Sequence, residues 1–509
     1  MNRLTAIALG LLLLASCCGK EPPRPAALPA VRATLKGAGA FEADFALDAV
    51  NASEVRYGTD RDMPHTLETG STGPVSLQIK LSGLAQLSDY VLYVQGLGPG
   101  GEEGSVVQIP FSTLKGPDSL YGWEQKRSGV PSFASLSLVT MGWHNYNPPV
   151  WTAGRFASHV ACMDRDGAGH WLFDAFLCID GWDPLRNLSY SIANGRYSAT
   201  KESWEDLLAA WLGDGGALVQ LDRAIEEAAA TLGTPPSPRY VVMSIPDPIR
   251  FQNFQDKTSS TTYWGETGGA ALDFAKTADQ QKACQWYMDR CRERFQAMRF
   301  KHLELAGFYI LSEELPLDPA FYSAAGQAYD SADTWNWKYK NWETIVPWVA
   351  AYAHSCKEGL WWIPYHLAPG YKVWKELGFD NVFMQPNYYW DHDQVSHPLS
   401  ATKSALEKYR MGIELEFEFS LVASIMADGR PGPDGSGMAT FYAKDVPLLR
   451  SRVREYMQTY KDTGLYGQIP VAVYSGTDAW HQLASSADPA DIEMFHDICQ
   501  FIIDSAPKQ

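Results

Sequence analysis

Positive charge is scarce in this 509-residue chain, where 42 Lys and Arg stand against 59 Asp and Glu for a formal net charge of −17. A surface of that sign lacks the clustered cations that hold a nucleic acid or another polyanion, so a neutral or weakly charged substrate fits better. Ligand spacing for a metal is missing as well. The 11 histidines are scattered, with no HxH or HExxH among them, and no CxxC pair accompanies them. "DRDGAGH" begins like an oxygen-ligand calcium loop at Asp164 and Asp166, but it has no glutamate at the twelfth position and reads as a solvated turn. No metal or other cofactor is expected. No Gly-rich phosphate loop follows an early strand, which weighs against a doubly wound nucleotide-binding sheet. No apolar run is long enough to span a bilayer.

What the amino terminus does contain is an export pattern. "MNRLTAIALGLLLLASCCGK" sets Arg3 before an apolar run that closes on Leu14, Ala15, Ser16 and Cys17. That tetrad resembles a bacterial lipobox, so residues 1–19 read as a lipoprotein signal with Cys17 as the lipidated residue. The expected product is an exported protein held to a membrane, most simply the outer membrane, by lipid chains rather than a spanning helix. Residues 20–30, "KEPPRPAALPA", are rich in Pro and Ala without a hydrophobic period and read as a tether. Most of the other six cysteines, Cys162, Cys178, Cys284, Cys291, Cys356 and Cys499, read as small buried hydrophobes.

Two patterns follow the tether. Residues 31–114 show short alternating runs broken by Gly, Asp and Ser, the mark of a small antiparallel sandwich of the immunoglobulin or fibronectin type III kind. From residue 118 to 509, apolar strands alternate with helix-length segments. Eight strands are expected, at the 137 region, 171–182, 239–248, 306–314, 360–366, 381–390, 412–419 and 469–476, which suggests a (β/α)8 barrel, an α/β fold.

Polar residues fall where such a barrel would use them. His144 and Asn145 follow the first expected strand, Asp180 and Trp182 the second, and Asp247 the third. Tyr365 and His366, then Gln385, Asn387 and Tyr388, and finally Tyr474 close later strands. The carboxyl ends of barrel strands open on one face, so these groups should converge there as substrate contacts. Trp143, Trp151, Trp390 and Trp480 lie just past strand ends, where a flat ring can stack on a sugar.

The seventh strand, "GIELEFEF", alternates Glu414, Glu416 and Glu418 with Ile413, Leu415, Phe417 and Phe419. Its greasy side should face the helices and its acids the barrel interior. Acids in such a place are costly unless used or paired. The fourth strand ends in Glu313 and Glu314. Carboxylates from strands four and seven suit a retaining glycosidase, with Glu313 as acid/base and Glu416 as nucleophile roughly 5–5.5 Å apart; Glu314 and Glu418 are the alternates. In that reading Glu313 holds a proton while Glu416 stays ionised, with Asn387 and Tyr365 as its candidate donors.

The strings "GFYILSEE", "WWIPYHLAPGYKVWKELGFDNVFMQPNYYW" and "GIELEFEF", with "GWHNYNPPVWTAGRFASHVACMDRDGAGHWLFDAFLCID" before them, resemble the bacterial family known as domain of unknown function 4855 over about residues 120–505. The resemblance implies a glycoside-hydrolase-like barrel in exported glycan-processing proteins, often beside immunoglobulin-like modules, and implies no catalytic pair. The expected partner is an oligo- or polysaccharide. The rival expectation is a barrel that binds glycan without cleaving it.

Overall fold

The computed structural model describes residues 27–38, 42–82, 84, 89–113, 129–141, 150–192, 195–329, 341–390, 396–427, 446–476 and 479–505. The expected signal and Cys17, most of the tether, and Trp143, His144 and Asn145 lie outside them. The chain divides into two compact units, the first made mainly by Asp44–Lys80 and Asp89–Phe111 and the second mainly by Ser112–Gln509.

The first unit is β-rich. Ala30–Ala38, Glu42–Val50 and Val75–Ser82 form one sheet; His65–Glu68, Glu54–Gly58, Asp89–Leu97 and Val107–Ser112 form another, in that order. Along Glu42–Val50, Ala43, Phe45, Leu47 and Ala49 turn inward at every second place, as the sequence pattern requires. Phe45 of the three-stranded sheet meets Phe111 of the four-stranded sheet edge to face at 5.2 Å, so the two sheets pack as a sandwich. A three-plus-four partition is that of the fibronectin type III-like sandwich expected from the sequence.

The second unit is a closed barrel of eight parallel strands: Ser135–Thr140, Ala175–Ile179, Arg239–Ile245, Leu303–Ile310, Gly359–Trp362, Asn381–Met384, Gly412–Glu416 and Val471–Tyr474. They are called strands one to eight below. Strand eight pairs with strand one through Val471 and Ser135, which closes the ring and removes every sheet edge. All eight fall within or overlap the spans read from the sequence, and most stop earlier. Their near-continuous apolar character follows from burial on both faces, by helices outside and packed side chains within. Helices such as Lys201–Leu212, Thr277–Met298, Trp342–Ser355, Leu399–Tyr409 and Val446–Lys461 cover the outside. Ala153–Val160, Ala479–Ser485 and Pro489–Asp504 are further helices of this unit.

The bottom of the barrel is plugged. Trp361 of strand five reaches across to Phe133, which precedes strand one, at 5.2 Å between rings, and Gly359 leaves room for that indole. Trp362 points the other way, stacks on Phe379 and donates to the Ser312 carbonyl at 2.7 Å. Strand four carries an extra residue: Val241 pairs with Leu305 but Val242 pairs with Gly307, so Ala306 bulges. Beyond the bulge Phe308 lies under the Arg292 guanidinium on the helix side, and alternation then turns Tyr309 into the barrel.

Candidate active site

Strand seven behaves as its alternation demands. Glu414 and Glu416 are 2 % and 0 % exposed and share one face of the strand, two residues apart. Phe417 turns outward, against Trp480 of the helix layer. Glu418 lies past the strand end, at the head of a single 3-10 turn, where the Tyr474 hydroxyl donates to Oε1 at 3.4 Å.

Oε2 of Glu416 is held from two sides. The Asn387 backbone N–H donates to it at 2.6 Å and the Tyr456 hydroxyl at 2.9 Å. Asn387 adopts φ 54°, a left-handed conformation that Asn tolerates better than most residues, which belongs to the turn that presents this N–H to the carboxyl. The Gln385 side chain lies near the same carboxyl and favours its charged form. Oε1 is buried and has no hydrogen-bond partner. The expected donor Tyr365 does not bond Glu416; its hydroxyl accepts instead from the Asn387 side-chain amide at 2.6 Å, because Asn387 spends its backbone on the glutamate and its amide on the tyrosine.

Glu313 follows strand four, and its carbonyl accepts from the Tyr365 N–H at 3.1 Å. The residue is exposed, yet protein surrounds it closely enough that loss of hydration, with help from the charge of Glu314, pushes its carboxyl up to about 7. Burial also pushes Glu416 up to about 8, opposed chiefly by the Asn387 and Tyr456 donors and reinforced by the charge of Glu313. Glu414 is raised well above the usual carboxylate range by burial and by the charges of Glu416 and Glu313. Desolvation thus lifts all three acids, Glu416 included, and hydrogen bonding bears on which of them ionises first. Glu416 has the donors and Glu414 has an unpartnered Oε2, so the proton belongs on Glu414.

That assignment has a consequence for stability. In the unfolded chain a glutamate loses its proton near about 4.3, whereas folded Glu414 keeps it to much higher pH. As pH climbs past the unfolded value the unfolded state is increasingly favoured, by up to about 1.4 kcal/mol per pH unit. Glu414→Gln removes this penalty. Its melting temperature is expected to gain on that of the parent chain between pH 5 and pH 8; a constant difference across that range would mean that Glu414 ionises normally.

The remaining candidates divide. Tyr365, Gln385, Asn387 and Tyr388 lie together on the segments after strands five and six, around Glu416; the Tyr388 hydroxyl donates to Glu455 at 2.7 Å. Tyr309 feels the charges of Glu313, Glu414 and Asp247, which brings buried Asp247 to the same interior. Glu314 is half-buried beside Glu313. His366 is buried against Thr402 and His397, and burial lowers its imidazole to about 4, so it is neutral.

Other candidates are tied into the scaffold. Asp180 accepts from Trp211 Nε1, the Met141 N–H and the Thr140 hydroxyl, a clasp between strand ends. Trp151 donates to the Thr140 carbonyl and stacks on Phe156 at 4.4 Å. Half-buried Trp182 sits in a two-residue ladder with Leu188–Ser189, packed over Gly195. Trp480 is a correction: it is 1 % exposed, packs on His159, Phe173 and Phe495, and donates to the Ser158 carbonyl, because a helix begins at Ala479 and turns the indole into the outer layer. Trp480→Phe should cost about 1–2 kcal/mol of stability through lost volume and one hydrogen bond, read by denaturant unfolding; an unchanged midpoint would mean that the indole is not part of the packed layer.

Sequence reasoning missed Tyr456. The signal was present in "VPLLRSRVREYMQTYK", where Leu449, Val453, Tyr456 and Tyr460 repeat at helical spacing and mark the face that covers the barrel. Among the described residues no group of three His, Cys, Asp or Glu could hold a metal ion, and no helix is long and apolar enough to cross a membrane.

Several solved structures are similar in outline. A GH5 xyloglucanase from Bacteroides ovatus, in complex with a XXXG heptasaccharide, is 12% identical, covers 92% of this chain and 100% of its own, and superposes with a TM-score of 0.37. Bacteroides uniformis β-glucuronidase 2 is 8% identical over 88% of this chain and 45% of its own, with a TM-score of 0.30. A putative β-galactosidase from Bacteroides fragilis is 9% identical over 87% and 54%, with a TM-score of 0.29. The chain thus spans about half the length of the last two. No curated protein sequence matches it. The family model described as Domain of unknown function (DUF4855) matches residues 135–428, more than half of the chain and the stretch that carries strands one to seven with Glu313, Glu414 and Glu416, and the chain belongs to that family.

Proposed function

We propose that the barrel is a retaining glycoside hydrolase, with Glu416 as nucleophile and Glu313 as acid/base. The observation that supports it best is the asymmetry of Glu416: Oε2 is fixed by donors while Oε1 is unpartnered, on the same interior that registers the charge of Glu313. A carboxylate with one oxygen anchored and the other free is aimed for attack at an anomeric carbon. Glu313, held up to about 7, can carry a proton at neutral pH for the leaving oxygen and take one from water in the second step. Each half-reaction balances. The C1–O bond breaks as the C1–Oε1 bond forms and Glu313 gives its proton to the departing sugar. The oxygen of a water then bonds to C1 as the C1–Oε1 bond breaks and frees the Glu416 carboxylate, while a proton of that water passes to Glu313.

A second reading keeps the glycan but not the cleavage. Glu416 has no solvent exposure, so an incoming ring must part the side chains above it, and a barrel that never does so would bind sugar at its mouth and pass it on. Either protein would be exported, lipidated at Cys17 and held to the outer membrane. Incubating the chain without residues 1–19 with a panel of neutral and weakly acidic glycans, and following reducing ends, separates the two. Release of new reducing ends supports hydrolysis. Binding with no release across the panel supports the second reading, and neither binding nor release sinks both. The anomer first formed, read by NMR, decides retention. A carboxyl separation of roughly 6.5–9.5 Å would go with inversion instead.

A further inference from the structure

The Tyr456 hydroxyl is fully committed. Its oxygen accepts from the N–H of Tyr388 at 2.7 Å and from the N–H of Tyr389 at 2.8 Å. A phenol with its lone pairs so taken has one proton left to give, and the acceptor in reach is Oε2 of Glu416 at 2.9 Å. The side chain is fully buried, so water does not compete for that proton.

The helix that carries Tyr456 is itself fixed to the segment it bonds. Arg452 donates through Nη1 to the Tyr389 carbonyl at 2.8 Å, and Glu455 accepts from the Tyr388 hydroxyl at 2.7 Å. Two residues before Arg452, Arg450 pairs with buried Asp491, which also accepts the N–H groups of Ala423 and Ser424 and so ties this helix to the segment after strand seven. Tyr456, Asn387 and Glu416 thus come from three elements locked to one another, and the hydroxyl cannot turn away without losing two backbone bonds.

We propose that Tyr456 is the positioning residue of the carboxyl pair, a one-way donor that fixes Oε2 of Glu416, leaves Oε1 free and selects Glu416 over Glu414 as the acid that ionises. The catalytic part of this rests on the hydrolase reading; the effect on Glu416 does not. Burial and the charge of Glu416 keep the Tyr456 phenol protonated throughout the working range, so it serves as a donor and not as a base. A hydrogen bond to the charged form lowers the pKa of a carboxyl, and its removal raises it.

The test reads Glu416 directly. Carboxyl carbon-13 resonances of glutamate-labelled chain are followed against pH, with Glu416→Gln identifying the Glu416 signal. Tyr456→Phe should raise its midpoint by about one unit or more, the size expected for losing a hydrogen bond to a charged group. Tyr460→Phe is the control, because that hydroxyl, one turn along the same helix, donates to the Ile469 carbonyl and not to the site; it should leave the midpoint in place. Should Tyr456→Phe fail to fold, 3-fluorotyrosine inserted at 456, a stronger donor of nearly the same shape, should lower the midpoint instead. An unmoved midpoint in either folded form overturns the proposal.

On an active chain the acidic limb of kcat/KM should move upward with the midpoint in Tyr456→Phe, since Glu416 must be ionised to attack. A chain that titrates as described but turns over no glycan leaves Tyr456 in its role and removes the hydrolase reading. A chain that turns over glycan with an unmoved midpoint does the reverse.

Discussion

Glu416→Gln is expected to lose turnover of an unactivated glycan by at least about a hundredfold, and so is Glu313→Gln, the scale typical of removing a positioned acid or base. The two variants should part company on an activated substrate. An aryl glycoside with a good leaving group needs no proton, so Glu313→Gln still forms the ester on Glu416 and stalls at its hydrolysis. Azide, which needs no general base, then releases the sugar as a glycosyl azide of retained configuration. Glu416→Gln makes no ester, and azide restores nothing by that route. Neither residue has a large structural role that the glutamine would upset, since the amide is nearly isosteric. At 416 it keeps an acceptor for the Asn387 and Tyr456 donors. Equal loss on both substrates with no azide effect would point away from this pair and toward Glu314 and Glu418.

The pH profile follows from the same geometry. Burial pushes Glu313 up to about 7 and Glu416 up to about 8, so over neutral pH the pair shares protons and the singly ionised form is the working one. The Asn387 and Tyr456 donors offset only part of the burial of Glu416, so its ionisation sets the acidic limb. Activity should therefore rise and fall around neutrality.

The barrel was legible in the sequence because its strands are buried on both faces. Runs such as "RYVVMSI" and "NVFM", apolar almost throughout and set between turn signals, have the pattern of strands covered on both sides. Glu414 and Glu416 were legible for the opposite reason: in "GIELE" a polar residue at every second place has only one face to occupy. Trp480 was misplaced because proximity to a strand end says nothing about the helix that starts at once after strand eight. Tyr456 went unseen because a buried tyrosine on a helix reads as packing, and only the fold shows its hydroxyl opposite Glu416. The lifted carboxyl of Glu416 was invisible for a physical reason: desolvation is set by everything around a group, and sequence supplies its neighbours along one line only.

The bulge in strand four was equally hidden, and it supports the second large prediction, on stability. In "LELAGFYI" nothing distinguishes an extra residue except Gly307. That glycine sits at φ 146°, a backbone region that L side chains rarely adopt, and a Cβ there would lie 2.2 Å from the Gly359 carbonyl oxygen and 2.6 Å from its nitrogen. Those atoms belong to the backbone of strand five, which pairs with Gly307 in the barrel ladder and has nowhere to retreat. Gly307→Ala therefore combines unfavourable backbone geometry with a clash, and is expected to cost about 2–5 kcal/mol. A domain of ordinary stability, about 5–15 kcal/mol, loses a large share of it. The damage should also reach the site. The extra residue sets which of Phe308 and Tyr309 faces the barrel, and Glu313 follows three residues beyond Ile310, so straightening the bulge would turn Tyr309 and re-aim the glutamate. Denaturant unfolding of Gly307→Ala, set beside Gly326→Ala, where no atom lies within 4 Å of the added methyl although φ is 67°, separates clash from backbone strain. The first should fall well below the second. Equal losses would mean that strand five gives way at no cost and that the bulge does not hold the mouth in shape.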